Sequence, residues 1–410
     1  MAEKITRTTT TEDKRHNSVS SVRLPVGLSF FAFILIGAND GAFGVLLPSL
    51  QQHYGVDKAI IGLLFLSAAL GYLIGAFNTG LFFEKLGQRL SLMSGAASFL
   101  LGAVVVSRMP PFSVTLIMFL LLGFGIALID AGLNAYIAGM PGNTSLLNYL
   151  HAFYGAGAWL GPVVASAILV VGWGWNSVYM LGAGMSLVLL IGFRLIFNKR
   201  EDSSQQEVVK TQGNVMIAAL KLRVVWLAAL FLLFYVGTEV SLGSWSYTFL
   251  LEERHGSTLL SGWSVSGYWL GLTFGRLILG KVGQRVGNKR LIQGCLLGAV
   301  TGVLFIWLVP GQGAAAFGLA LTGFSLGPIF PTTIALMSDR VSARVLPSAI
   351  GFLASLGSMG AAIFPWLAGN LAQYIGMWSL LPYVIVLTAM MLILWVSLQK
   401  RPQPEHERVR

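Results

Sequence analysis

Between residues 25 and 398 the chain alternates long apolar runs with short polar interruptions, and the runs have the length of membrane spans. About 20 residues of helix cross the hydrocarbon core of a bilayer. Twelve such runs can be marked: 25–51, 58–83, 90–108, 112–140, 145–171, 176–197, 222–250, 258–281, 289–309, 313–338, 345–373 and 377–398. The longest interruption, residues 198–221, is polar and charged and divides the runs six and six. The first 22 residues are rich in Thr and Ser, carry mixed charge and hold no short apolar core with a cleavage site. A disordered tail is therefore expected over 1–24 rather than a signal peptide, with a second tail over 399–410. The pattern predicts an all-α integral membrane protein: a six-helix bundle over 25–197, a linker over 198–221 and a second six-helix bundle over 222–398.

Composition agrees, and charge adds a direction. Apolar residues make up 55% of the chain and charged ones 10%, well under the roughly 25% charged of soluble domains. A net charge of +11 would suit nucleic acid, but its placement says otherwise. With the N-terminus on one side of the membrane, every Lys and Arg except Lys58, Arg108 and Arg254 falls in loops and tails of that side. This is the asymmetry of the positive-inside rule, and it predicts a plasma-membrane protein with both termini cytosolic. The remaining pull of the positive side is toward anionic lipid headgroups rather than nucleic acid. The one cysteine, Cys295, sits in an apolar run, which excludes disulfides and cysteine-based metal centres. No metal-ligand spacing, phosphate loop or nucleophile triad appears, so neither an enzyme nor a cofactor is implied.

The two sets of six are related. GYLIGAFNTGLFFEKLGQRL at 71–90 and GYWLGLTFGRLILGKVGQRV at 267–286 align without a gap. They share, among others, Gly71/Gly267, Tyr72/Tyr268, Gly75/Gly271, Lys85/Lys281 and Arg89/Arg285. A weaker echo pairs GFG at 123–125 with GFS at 323–325. Internal repeats of this kind mark transporters whose site lies between the repeats.

The stretch from Gly80 to Arg89, GLFFEKLGQR, resembles the loop motif of the major facilitator superfamily, and KVGQRVGNKR at 281–290 is its second copy. Within that superfamily the chain is most similar to the fucose permease-like family of fucose-galactose-glucose/proton symporters. The likeness is carried by LLPSLQQHYG at 46–55, IDAGLN at 129–134, NYLHAFYGAGAWLGP at 148–162, YVGTEVSLGSW at 235–245 and GFSLGPIFPTT at 323–333. The resemblance implies the major facilitator fold, a monomer, and alternating-access symport of a sugar or sugar-like solute with a proton. In the superfamily the acid at the place of Glu84 clamps the halves when the cytosolic side is shut. Gly80, Glu84, Lys85, Gly87 and Arg89, with Arg276 and Arg285 from the second copy, are accordingly expected to form gating loops. Gly280 stands where Glu84 would repeat, and Arg276 where Gly80 would, so the clamp is expected to be asymmetric.

Of the 16 acidic residues, all but Asp40, Asp130 and Glu239 fall in tails, loops or span ends. An ionisable group at mid-bilayer costs at least about 2.5–3.5 kcal/mol on insertion scales and normally faces a cavity or a partner. No Lys or Arg is expected deep enough in any span to pair with them. A carboxyl buried without a cation favours its neutral form, which makes such groups candidate proton carriers; a neutral acid merely bonded to neighbouring helices is the structural alternative. IGANDG at 36–41 corresponds to VGTEVS at 236–241 to within a residue. Asp40 and Glu239 are therefore assigned to ion coupling, proton favoured and sodium left open. In the fucose permease group the acid of the first span stands about one turn nearer the following proline than Asp40 does to Pro48, so the likeness there is one of helix face.

Asn134 lies one turn after Asp130 on the same face, and IDAGLN resembles the acid–amide pair that holds sugar in the fucose permease group. The fifth span adds Asn148, His151 and Tyr154 at helical spacing, and the first adds Asn39. Tyr235, Trp245 and Tyr268 complete the candidate solute set as rings on which apolar sugar faces stack, with Trp269 ranked below them. A proton-coupled drug or metabolite exporter is the alternative function. Its basis is GAWLGPVVAS at 157–166, which resembles the glycine-proline motif of drug/proton antiporters, although small residues with proline also simply permit close helix packing and a kink.

Overall fold

A computed structural model describes residues 5–140, 143–197, 213–338, 340–342 and 344–399. Its first helices are α1 (Ile5–Tyr54), α2 (Lys58–Ile61), α3 (Leu63–Ser107), α4 (Phe112–Ala138), α5 (Asn143–Val170) and α6 (Asn176–Ile196). After the short α7 (Gly213–Leu220) come α8 (Arg223–Glu252), α9 (Thr258–Val286), α10 (Asn288–Leu308) and α11 (Gln312–Leu326). The chain ends with α12 (Ile329–Ser338), α13 (Leu346–Tyr374) and α14 (Leu380–Gln399), and no strand occurs among the described residues. The membrane-length part of α1 is Arg23–Tyr54. Most of the linker expected over 198–221 and of the tail expected over 399–410 lies outside the described residues.

Ten helices among the described residues are long and apolar enough to cross a membrane. One of these stretches, Lys58–Ser107, holds two of the expected spans. Between these two spans, where a loop was expected, the helix is interrupted at Gly87, whose φ of 76° and ψ of 169° turn the chain in a conformation open to glycine. The eighth span, α9, stands outside the ten because Ser, Thr, Gly, Tyr and Trp dilute its apolar character over 258–275, with Arg276 and Lys281 following. With α9 added and α3 counted as two, the twelve expected spans are in place.

The tenth span departs from expectation in a different way: it is broken into α11 and α12 at Gly327. In a continuous helix the Phe324 and Gly327 carbonyls would accept from residues 328 and 331. Both are proline and have no N–H to give. The Gly327 carbonyl is instead met by Nε of Arg276 at 3.2 Å.

Small residues set the helix spacing. A Cβ at Gly71 would overlap the Leu120 carbonyl, and one at Gly123 the Ala68 carbonyl. In the second half Gly271 and Gly323 meet the Ala320 and Tyr268 carbonyls in the same manner. The repeated glycines thus build one seam twice, α3 on α4 and α9 on α11. Gly37 and Gly41 of α1 lie against the Tyr154 and Ala158 carbonyls, while Gly157 and Gly161 of α5 lie against Ile34 and Ala38. The glycines of the antiporter-like stretch are therefore occupied in packing α5 on α1.

The halves meet where α5 packs on α9, α1 on α8 and α3 on α13. They are clasped at the α2 end. Nζ of Lys58 lies 3.0 Å from Oε1 of Glu252, and the Lys58 N–H donates to Oε1 of Gln373 at 3.1 Å. At the opposite end of the bundle Asn148, Tyr149 and His151 are exposed.

Candidate functional site: a charged cavity between the halves

The clasped halves enclose a central cavity of about 410 Å³, a size typical of small-molecule sites. Its first wall comes from Asn39 and Asp40 of α1, Tyr72 of α3, Asp130 of α4, and His151 and Tyr154 of α5. The facing wall comes from Glu239 and Ser244 of α8, Trp269 and Arg276 of α9, and Ser358 of α13. Phe33, Phe65 and Phe119 fill in apolar surface between the polar groups.

Each acid of the first wall is held by two donors. Tyr154 donates its hydroxyl to Oδ2 of Asp40 at 3.0 Å, and the Asn39 amide donates to Oδ1 at 3.2 Å. Asp130 accepts from the Tyr72 hydroxyl at 2.7 Å and from Asn134 at 2.8 Å. The Asn134 amide also reaches the Asp130 backbone carbonyl at 3.0 Å, the i to i+4 neighbour relation that the sequence spacing predicts. His151 sets its ring edge-on to Phe33, with centroids 5.6 Å apart.

The facing wall is organised around Arg276. Its Nη2 lies 3.4 Å from Oε1 of Glu239, its Nε is tied to Gly327, and Tyr235 faces the pair from behind. This corrects two expectations. A cation does lie deep among the acids, and Arg276 belongs to the cavity rather than to a gating loop. The reason is helix length: α9 runs on to Val286, which leaves Arg276 about 15 Å inside the helix end at 1.5 Å per residue. At its repeat partner Gly80 an added Cβ would meet open space.

Other candidates distribute unevenly. Asn39, Asp40, Asp130, His151, Tyr154 and Glu239 line the cavity together, and Asn134 acts on it through Asp130. Asn148 is exposed at the end of α5, away from the lining. Tyr235, Trp245 and Tyr268 are fully buried behind the wall. Trp245 donates to the Pro365 carbonyl at 2.8 Å, and Tyr268 donates to the Glu239 backbone carbonyl at 2.8 Å. Their rings support the wall instead of forming it. Sequence reasoning passed over Tyr72 and ranked Trp269 too low. Tyr72 carried a signal, since it recurs as Tyr268 in the repeat; Trp269 carried none beyond its ring. Of the motif residues, Gly80, Glu84, Lys85 and Arg285 are exposed, and Arg89 and Gly87 are partly buried near the bend in α3.

The family model of the Major Facilitator Superfamily matches residues 29–264 and 243–410. Bypass of stop codon protein 6 of Saccharomyces cerevisiae is 24% identical over 420 residues, covering 94% of this chain and 84% of the relative. The Glucose/mannose transporter GlcP of Bacillus subtilis is 22% identical over 365 residues, covering 87% and 88%. Among solved structures, nucleoside transporter NupG matches with a TM-score of 0.76 at 13% identity, over 92% of this chain and 100% of that one. The transporter FucP in its outward conformation matches at 0.62 and 16%, over 92% and 99%. At such identities the structural likeness speaks for the fold alone. The chain belongs to the Major Facilitator Superfamily and is a multi-pass membrane transporter of a small-molecule solute, not an enzyme.

Proposed function

We propose that the protein is a proton-coupled symporter that carries a sugar-like solute across the plasma membrane by alternating access, with both termini in the cytosol. The observation that carries this reading is the cavity itself. Acids, amides, phenols and an imidazole converge there with aromatic surface, between two halves clasped by an ion pair and a hydrogen bond at the α2 end. Sugars need both kinds of surface: hydroxyls ask for acceptors and donors, and the apolar ring faces ask for aromatic planes. Asp130, oriented by Tyr72 and Asn134, takes solute hydroxyls together with Asn39, His151 and Tyr154, while Trp269 offers a ring. Asp40 carries the proton, because its partners are a phenol and an amide with no cation. Glu239 joins the same network through Arg276. GlcP, a relative named for glucose and mannose, supports the solute class.

Proteoliposomes with an imposed inward proton gradient test the proposal on a panel of hexoses and deoxyhexoses. Stimulated entry of one of them is expected; solute driven out against the gradient would establish an exporter instead. Asp40→Asn, which mimics a permanently protonated acid, is expected to abolish uphill accumulation while sparing counterflow. Undiminished accumulation in that variant would remove Asp40 from the coupling role.

A further inference from the structure

Arg276 is the Lys or Arg among the residues lining the cavity, and a charge in that position is expensive unless it serves a function. Three features show how it is held. Its Nε is fixed by the Gly327 carbonyl, an acceptor freed because residue 331 is proline. Its contact with Glu239 is single and 3.4 Å long, whereas charge-assisted bonds run about 2.7–2.9 Å and guanidinium–carboxylate pairs are often bidentate. Finally, 32% of its side chain stays open, against 11% for Glu239. A guanidinium has five N–H donors, so with Gly327 and Glu239 satisfied, donors remain to be used. The head is anchored from behind and left incomplete in front.

We infer that Arg276 is a specificity-determining residue that binds a carboxylate on the solute, so that the preferred solute is a hydroxylated ring acid, such as a sugar acid, over the neutral sugar. The inference rests on the reading of the central cavity as the solute site and narrows its solute class. A planar fork of donors matches the two oxygens of a carboxylate. The opposite wall sets the orientation. Asp130 lies on that wall and accepts from the hydroxyls at the solute's other end, while Asp40, carrying the transported proton, adds a neutral polar group beside it. Such a solute bridges the halves, because Arg276 belongs to one and both aspartates to the other. The apolar ring faces lie between Trp269, Phe65 and Phe119.

Matched probes isolate the carboxylate. Galactose and galacturonate, or glucose and glucuronate, differ only by a carboxylate in place of a hydroxymethyl group. Binding to the purified full-length protein in detergent can be followed by ligand-induced thermal stabilisation. The uronate of at least one pair is expected to bind roughly tenfold or more tightly than its hexose, the size of one hydrogen-bonded charge contact. In Arg276→Gln the uronate-to-hexose ratio is expected to fall by a similar factor, with Arg276→Lys intermediate. Hexoses binding as well as their uronates would overturn the inference and leave the sugar reading standing. A ratio untouched by Arg276→Gln would overturn it as well. Binding of neither probe class to the wild-type protein would bring down the inference and the sugar reading together. Should Arg276→Gln fail to fold, the wild-type comparison alone decides.

Discussion

Gly41 and Asp40 are neighbours with opposite duties: one brings α1 onto α5, and the other looks into the cavity. A methyl group at Gly41 would overlap the Ala158 backbone carbonyl, which cannot swing aside as a side chain could. Gly41→Ala is expected to destabilise the protein by about 1–3 kcal/mol, the usual range for overpacking. A lower melting temperature in detergent would register this. Gly184→Ala, on α6 with no atom within 4 Å of the added methyl, should leave that temperature unchanged or slightly raised. At this scale the acids were legible in the sequence because an acid inside an apolar run is costly and therefore conspicuous. The rings were not. Tyr268 and Trp269 are adjacent on α9, yet one is sealed behind the wall and the other lines the cavity. Neighbours on a helix point about 100° apart, and only the packed neighbours decide which direction is inward.

Among the elements, the tenth span carries the clearest link between helix chemistry and the site. Its apolar run is unbroken from 313 to 338, which reads as one helix, while Pro328 and Pro331 together remove the donors that would carry the ladder across Gly327. Pro331→Ala restores an N–H where the Gly327 carbonyl needs one, and that N–H then competes with Arg276 for the acceptor. Thermal stability is expected to hold or rise while solute binding or turnover falls, because the guanidinium loses its anchor. Equal loss of stability and transport would instead point to simple misfolding at the break. Arg276 itself was hidden from sequence reading by the repeat, which aligns it with Gly80 of the loop motif. The repeat preserves backbone position, and a side chain as long as arginine's reaches a different environment from the same place. The bend in α3 was legible, because Gly87 turns the chain inside the polar interruption that separates the second and third spans.

For the whole molecule, span lengths, charge asymmetry and the repeat were enough to read a two-part membrane transporter from the sequence, because each is imposed by the bilayer. Which end of the two halves is closed was not readable, since it depends on contacts between residues far apart in the chain. The clasp at the α2 end is such a contact. Asp57 caps α2 by accepting from the Ile60 N–H at 2.7 Å, which fixes the start of the helix that presents Lys58 to Glu252 and Gln373. The ion pair is partly open to solvent, with side-chain exposures of 18% and 43%, so its worth is at most about 1 kcal/mol. That is too little to matter for folding. Alternating access, however, requires two states of nearly equal free energy, and about 1 kcal/mol then changes their ratio roughly fivefold. Lys58→Glu places two carboxylates together and is expected to open the α2 end, while the exchange Lys58→Glu with Glu252→Lys restores the attraction and the closure. The state can be read by labelling an added cysteine in the cavity wall, Ala69→Cys, with a membrane-impermeant maleimide applied from the α2 side; the native Cys295 is buried and contributes little background. Labelling is expected to rise about fivefold in the single reversal and to return in the double exchange. No rise in the single variant, or no return in the exchange, would show that the halves are held by packing alone and that the Lys58–Glu252 pair sets nothing.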